Sequence, residues 1–325
     1  AEFAAATAVG KKAAGPKAVP PTLRTATPAR IAAERRRLEL KQQREIKRRV
    51  REYEAAITSM ERAEASAEAA PRVRGAFKTL TVVAPPRLLA EGASWFDYLQ
   101  TGVITELSPM IHLPILNLAQ AGDEARGMLG VKERRKLRDH LFRAMQAGKP
   151  YDALLFSGGG NDIVGDPLCL WIKDYDPATM PNPADVFDEK RFEQALGIVC
   201  AAYEDLIALR DELSPSTALF FHGYDFVIPA NKGVCGLGPW LWPSLEFRHI
   251  PLALRPGVAK EMLLRFQAKL QALASDDKRI YLVPTQGTLK GTDTWWVNEM
   301  HPSQKGFIEI AKKFRDSLRA VFPGL

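Results

Sequence analysis

The sequence predicts an α/β protein built around a parallel sheet that helices cover on both faces. Five short runs between residues 87 and 284 are almost continuously apolar, which is typical of strands buried on both faces. Helical patterns separate or follow most of these runs, and this alternation is typical of parallel sheets. The composition, 46% apolar and 26% charged, is that of an ordinary globular protein. No apolar run approaches the roughly 20 residues that a membrane-spanning helix needs.

The chain begins with a basic arm. Residues 1–26 are rich in Ala, Pro, Lys and Thr and have no apolar period, so we expect a disordered, tag-like segment. Thr27 and Pro28 are typical of a helix start, and good helix formers follow, which predicts a basic amphipathic helix over 27–66. Residues 1–65 hold fifteen Lys and Arg against eight Asp and Glu, so they carry the whole net charge of +7.

An apolar seam follows and partly overlaps the most basic part of this helix. It predicts packing against the domain or against a second copy, so an oligomer is one alternative. The basic face is either solvated or binds an anionic surface such as lipid or nucleic acid. No aromatic residue lies within the basic run, which disfavours specific nucleic-acid recognition. The seam consists of Ile46, Val50, Tyr53, Ile57 and Met60.

The remainder of the chain, residues 74–325, is expected to form one domain. In a parallel sheet, functional residues gather in the loops at the carboxyl ends of the strands, so these loops are the places to search. The predicted strands are 87–92, 115–119, 153–159, 218–223 and 279–284. The predicted helices are 123–148, 189–213, 256–275 and a last one that begins after His301 and runs to about 321.

Four residues at these positions fit the needs of acyl transfer. Ser94 follows the first strand and His301 precedes the last helix, and a serine nucleophile needs such an adjacent base. Attack on an ester creates an oxyanion, which needs fixed hydrogen-bond donors. The backbone N–H groups of Ser94 and Gly122 and the side-chain amide of Asn161 are the candidates.

Each of these residues also has an ordinary structural explanation. Ser94 could cap the helix that follows it, and the "GGGND" stretch at 158–162 could be a simple turn. His301 could merely mark a helix start before Pro302, and the "NLAQAG" stretch that contains Gly122 could be a strand end and nothing more. Their occurrence together, in successive loops at strand ends, favours a functional site over four separate structural roles.

The same residues resemble the SGNH (GDSL-type) hydrolase family. The matching blocks are "GASW" at 92–95, "NLAQAG" at 117–122, "GGND" at 159–162 and "NEMHP" at 298–302. The resemblance covers about residues 85–325. It implies a three-layer, flavodoxin-like α/β/α fold with a five-stranded parallel sheet, and ester hydrolysis that needs no metal or organic cofactor. The implied substrate is a small-molecule or lipid-like ester.

Two departures from the family pattern bear on the mechanism. Ala93 stands where the family usually has Asp, and Asn298 stands where its triad acid usually lies. We favour a Ser–His pair in which Asn298 orients His301. Alternatively, Glu299 or Asp293 replaces the acid, or a backbone carbonyl orients the ring. The departures also favour a rival function, a non-hydrolytic protein that binds acyl or glycan ligands. A second rival is an adaptor that acts through the basic helix.

Two long connections, 163–188 and 223–255, are rich in Pro, Gly and aromatic residues. We predict that they form the walls of an apolar acyl pocket, with packing over the sheet as the alternative. Cys169 and Cys235 lie one in each connection and are a candidate disulfide in an oxidising compartment. All candidate site residues follow residue 90, so the sequence predicts an intact site without residues 1–66.

Overall fold

The computed structural model describes residues 28–69, 85–98, 101–233, 238–291 and 294–325. The segment 1–26, which the sequence predicts to be disordered, lies outside the described residues, as do Cys235 and Asp293. The chain divides into two units, Ala1–Arg44 and Glu45–Leu325. Among the described helices, none is both long enough and apolar enough to cross a membrane.

The sheet has five parallel strands in the order β2-β1-β3-β4-β5. This is the flavodoxin-like order, and the predicted fold class is confirmed. The side chains of β3 and β4 are buried throughout because helices cover both faces of the sheet. The strands lie within the five predicted runs: β1 Leu88–Gly92, β2 Ile115–Asn117, β3 Ala153–Ser157, β4 Ala218–His222 and β5 Ile280–Val283.

Helices complete a three-layer α/β/α arrangement around this sheet. The pattern predicted over 123–148 forms two helices instead of one, because the chain turns at Gly130, whose N–H donates to the Gly127 carbonyl. The α-helices are α1 Pro28–Ala69, α2 Val103–Ile111, α3 Ala125–Met128, α4 Val131–Gln146, α5 Gly160–Ile163, α6 Glu189–Leu213, α7 Trp242–Phe247, α8 Arg255–Leu273 and α9 Gln304–Val321. Short 3-10 helices span Asp166–Leu170 and Pro183–Val186.

The "HPS" stretch at 301–303 lies directly before α9. The Ser303 side chain caps the helix by accepting a hydrogen bond from the Gly306 N–H at 3.3 Å. His301 lies two residues earlier and takes no part in this cap. Ser303, and not His301, is therefore the residue that starts the helix.

The apolar seam of α1 packs onto the core of the same chain. Tyr53 is only 4% exposed and its ring centroid lies 6.4 Å from that of Tyr151. The other four members of the seam are partly buried against the same core. On the outer face, Arg48 pairs with Glu45 and Glu52. Such exposed pairs contribute little stability. Binding of this face to an anionic surface, and an oligomer through the helix, stay predictions.

Candidate active site

Ser94 lies in a tight turn directly after β1. The turn is closed by the N–H groups of Phe96 and Asp97, which both donate to the Ala93 carbonyl. Gly92 is required at its start, because a Cβ there would lie 2.7 Å from the carbonyl oxygen of Ser157. A side chain is therefore excluded at position 92. The turn places Ser94 at the carboxyl end of the sheet.

The structure brings Ser94, His301 and Asn298 into one hydrogen-bonded chain. Ser94 Oγ lies 2.8 Å from His301 Nε2, and His301 Nδ1 lies 3.0 Å from Asn298 Oδ1. Asn298 Oδ1 also accepts hydrogen bonds from the backbone N–H groups of Met300 and His301. Because those two groups can only donate, the amide oxygen must face them. The same oxygen then accepts from Nδ1–H, which leaves Nε2 unprotonated toward Ser94.

The ring of His301 is enclosed by aromatic side chains. It stacks on Tyr98, with the ring centroids 4.2 Å apart and the planes tilted by 15°, and the ring of Trp240 meets it edge-on at 5.2 Å. Burial lowers the pKa of His301 to about 4. The imidazole is therefore neutral at neutral pH, the state that a general base requires.

Glu299, one of the alternative acids, has its hydrogen bonds with groups other than the His301 ring. Its carboxylate accepts from the backbone N–H groups of Ala230, Trp240, Leu241 and Trp242 and so holds the connection after β4. Asp293 lies outside the described residues. His301 Nδ1 meets the Asn298 side chain and not a backbone carbonyl. Of the alternatives left open by the sequence, Asn298 has the contact in the structure.

The candidate oxyanion donors lie on two loops and at the start of α5. The backbone N–H groups of Ser94 and Gly122 donate to no acceptor within the part of the chain that the structure describes. Gly122 has φ +91, and a Cβ there would project into open space. The amide of Asn161 donates one hydrogen to the Asp123 carbonyl at 2.8 Å, which leaves its second hydrogen open. This bond also joins the loop of Asn161 to that of Gly122.

Asp162 strengthens the same junction between the two loops. Its carboxylate accepts from the backbone N–H groups of Ala125 at 2.7 Å and Arg126 at 3.2 Å, at the start of α3. The "GGND" block therefore does more than turn the chain. It aims Asn161 at the site and fixes the segment that follows Gly122.

A narrow cavity opens beside Ser94. Asn161 lines it too, whereas Gly122 is not part of its lining. The two long connections supply part of the wall, and α8 supplies Met262 and Leu263, which the sequence analysis did not foresee. Trp171 does not line the cavity. Its indole N–H donates to the carbonyl of Ile163, which does, at 3.2 Å. The apolar lining comprises Ile163, Val164, Tyr224, Val227, Met262, Leu263 and Met300.

A second serine–histidine pair lies in the core. Ser157 Oγ is 2.8 Å from His222 Nε2, and both side chains are fully buried at the ends of β3 and β4. Burial lowers the pKa of His222 to about 3. The sequence does not predict this pair, since both residues end apolar strands and lie 65 residues apart along the chain.

Tyr98 and Trp95 are site residues that the sequence analysis did not assign. Tyr98 stacks on His301, and its hydroxyl accepts a hydrogen bond from Asn298 Nδ2 at 3.1 Å. The indole N–H of Trp95 donates to the Met300 carbonyl at 3.1 Å, which joins the serine turn to the histidine loop. Both lie in the stretch "SWFDY" at 94–98, where large aromatics directly after a candidate nucleophile were the available signal.

Two sequence-based expectations about metals and cysteines remain predictions. Within the described residues, no group of three or more His, Cys, Asp or Glu side chains could hold a metal ion. The Cys169 thiol donates to the Asp166 carbonyl at 3.2 Å. Its proposed partner Cys235 lies outside the described residues, so the disulfide is not tested.

Comparisons with known proteins give structural neighbours only. No family model matches the sequence, and no curated protein matches it. The chain is similar to the lipase Lip_vut3 from a goat rumen metagenome at 15% identity and a TM-score of 0.45, with 71% of this chain and 97% of that chain covered. It is similar to a protein described as an SGNH hydrolase from Slackia heliotrinireducens at 15% identity and a TM-score of 0.40, covering 72% and 98%.

A third neighbour is a carbohydrate esterase family 3 protein from Talaromyces cellulolyticus, at 11% identity and a TM-score of 0.41, with 74% of this chain and 100% of that chain covered. Identities this low carry no information about substrate. The strand order of the sheet and the positions of the four sequence blocks are observed directly in this chain and do not depend on these neighbours. The strand order, and the placement of these blocks in loops at one end of the sheet, give the chain the fold of the SGNH (GDSL-type) hydrolases.

Proposed function

We propose that this protein hydrolyses carboxylic esters through an acyl-enzyme on Ser94. The observation that carries the proposal is the 2.8 Å contact between Ser94 Oγ and His301 Nε2, at the edge of an apolar cavity. The contact joins a hydroxyl to an unprotonated ring nitrogen, which is the arrangement that activates a serine. The fold by itself does not support the proposal, because one fold hosts many functions.

The reaction has two halves. In the first, His301 Nε2 takes the Ser94 proton while Oγ attacks the ester carbonyl carbon, and the tetrahedral intermediate expels the alcohol, which leaves with that proton. In the second, His301 takes a proton from water, and the resulting hydroxide attacks the acyl carbon. The bond to Ser94 Oγ then breaks, the proton returns to the serine, and a carboxylic acid is released.

The oxyanion of each tetrahedral intermediate needs donors that are already in place. The unpaired backbone N–H groups of Ser94 and Gly122 and the second amide hydrogen of Asn161 are the groups we assign to it. Removing one such donor typically costs about 10²–10³ in turnover. The bonds that tie Asn161 and Asp162 to the loop after Gly122 keep these donors fixed before substrate binds.

Asn298 makes this a slower enzyme than one with a carboxylate in its place. In a serine protease, the Asp-to-Asn change at the triad acid lowers turnover about 10⁴-fold, largely because the wrong histidine tautomer forms. Here the Met300 and His301 N–H groups hold the amide oxygen toward the ring, which selects the correct tautomer. The missing negative charge therefore still lowers turnover, whereas the tautomer of His301 does not.

Covalent labelling tests the proposal directly. A fluorophosphonate should modify the folded protein at Ser94, as located by peptide mass spectrometry, and Ser94→Ala should abolish the modification. His301→Ala should suppress it as well, because the hydroxyl then has no base. Turnover of a short-chain p-nitrophenyl ester should disappear in the same variants. Esterase activity that survives Ser94→Ala, or labelling at another residue, contradicts the assignment.

Two observations favour the rival function, ligand binding without turnover. Asn298 cannot stabilise an imidazolium by charge, and the ring of His301 is deeply buried. A non-hydrolytic protein of this fold should bind acyl or glycan ligands yet show neither a burst of alcohol release nor fluorophosphonate labelling. The labelling experiment therefore distinguishes the two functions.

A further inference from the structure

Arg49 of α1 reaches from the N-terminal helix to two loops of the candidate active site. Its Nη2 donates to Asp97 Oδ1 at 2.7 Å, and its Nη1 donates to the carbonyl oxygens of Ala119 at 3.0 Å and Asn117 at 3.4 Å. The side chain is 19% exposed, although the neighbouring residues of α1 are mostly solvated. A largely buried guanidinium with three partners on the domain is not part of a solvated basic face.

The two sets of partners belong to the loops that carry the oxyanion donors. Asp97 closes the turn that begins at Ala93 and contains Ser94. Ala119 lies three residues before Gly122, on the segment that leaves β2. The guanidinium therefore bridges the two loops: Nη2 bonds to the nucleophile turn, and Nη1 bonds to the segment that leads to Gly122.

The helix that presents Arg49 is itself fixed. Tyr53, one turn further along α1, is 4% exposed and belongs to the core. Glu45, one turn before, accepts a hydrogen bond from Arg49 Nε at 3.2 Å. These contacts set both the position and the plane of the guanidinium, as a residue that supports a site requires.

We propose that Arg49 is a positioning residue that sets the spacing between the Ser94 N–H and the Gly122 N–H. The inference rests on the proposed function of those two groups. Oxyanion stabilisation depends steeply on donor geometry, and a displacement of about 1 Å can cost about 10²-fold in rate. A planar guanidinium holds two partners at a fixed separation, which a lysine ammonium does not.

This proposal changes an expectation drawn from the sequence. Because all candidate site residues follow residue 90, the sequence predicts an intact site without residues 1–66. Arg49 lies within that segment and contacts both oxyanion loops. The second half of α1 is therefore part of the active-site scaffold, although the family resemblance begins only at about residue 85.

The test compares Arg49→Gln with Arg48→Gln in the full chain. Arg48 is a matched control, because it lies on the same helix and pairs only with Glu45 and Glu52 of α1 among the described residues. Its removal leaves the bond between Arg49 and Glu45 in place. For Arg49→Gln we expect kcat for a short-chain ester and the rate of fluorophosphonate labelling to fall about tenfold, with KM within about twofold of wild type. Arg48→Gln should change neither rate, and Arg49→Lys should restore only part of the loss.

A second variant keeps the test decisive if Arg49→Gln does not fold. Asp97→Asn removes the charged partner and leaves the guanidinium, so it should lower the labelling rate as well. In the double variant the two losses should not add, since they break one bridge. Thermal unfolding of each variant shows whether a lost rate merely follows lost stability.

The outcomes separate the inference from the proposed function. If wild type is not labelled at Ser94, the proposed function is wrong. If wild type is labelled and folded Arg49→Gln reacts within twofold of it, only the role of Arg49 is wrong. Equal losses for Arg48→Gln and Arg49→Gln also overturn the inference, because they indicate a general effect of charge on α1.

Discussion

The two serine–histidine pairs of this molecule have the same Oγ–Nε2 distance but different surroundings. Oγ and Nε2 are 2.8 Å apart both between Ser94 and His301 and between Ser157 and His222. Ser94 lines a cavity beside apolar walls, whereas Ser157 and His222 end two central strands and are fully buried. A distance between two side chains therefore does not identify a catalytic pair.

The proton on each ring makes the sharper distinction. The Tyr224 backbone N–H donates to His222 Nδ1 at 3.3 Å, so His222 carries its hydrogen on Nε2 and donates it to Ser157. At His301 the acceptor Asn298 Oδ1 places the hydrogen on Nδ1 and leaves Nε2 with a free lone pair for Ser94. One ring can take the serine proton and the other cannot.

The largest expected effect comes from removing each hydroxyl in turn. Ser94→Ala should lower ester turnover at least about 10³-fold, because no nucleophile remains. Ser157→Ala should leave turnover within a few fold but reduce the free energy of unfolding by about 1–3 kcal/mol, since a buried ring N–H loses its acceptor. Initial rates and urea unfolding of both variants give the comparison. Abolished labelling in a folded Ser157→Ala protein would show that the wrong pair had been assigned.

A smaller change should come from supplying the missing charge at Asn298. A hydrogen bond from imidazolium to a carboxylate is worth about 1.4 kcal/mol more than one to an amide, so Asn298→Asp should raise kcat about tenfold. Four donors at this position already suit a carboxylate, since the Tyr98 hydroxyl can reverse its bond and donate.

The pH profile of kcat/KM tests the same variant independently. The pKa of His301 is lowered to about 4 by burial, so wild-type activity should persist as pH falls through 6.5 and be lost only as pH approaches 4. A carboxylate favours the charged ring, so Asn298→Asp should move this acid limb to higher pH. A limb that stays in place, with lower turnover in a folded variant, would indicate that another acid already serves His301.

Local patterns were sufficient to predict the sheet, and together with the family resemblance they named most residues of the candidate site. Each strand is a short apolar run, and β1 to β4 end in Gly or a polar residue. Ser94 and Asn161 follow strands, and His301 precedes a capped helix. The helix pattern over 123–148 failed at its start, because Gly130 and the bonds to Asp162 divide it. The apolar periodicity of a sequence does not reveal tertiary contacts such as those of Asp162.

The contacts that orient the site could not be predicted in this way. Arg49 looks like any other cation of a charged helix, and its partners on the two oxyanion loops lie at least 48 residues away along the chain. Nothing local distinguishes Ser157 and His222 from polar residues at strand ends, so neither their burial nor their tautomer was accessible. These features depend on side chains that meet only after the sheet and α1 have packed together.

The smallest expected effect concerns the hydroxyl of Tyr98. Tyr98→Phe keeps the ring that stacks on His301 and removes the hydroxyl that accepts the Asn298 Nδ2–H bond. Because two backbone N–H groups still hold Asn298 Oδ1, we expect turnover to fall no more than about threefold, equivalent to about 0.7 kcal/mol. In the Asn298→Asp background the hydroxyl donates to a charged oxygen, so the same substitution should cost about tenfold. Turnover numbers of the four proteins form a double-mutant cycle. Equal losses in both backgrounds would show that Tyr98 acts through its ring alone and that the bonds around Asn298 do not set the reactivity of His301.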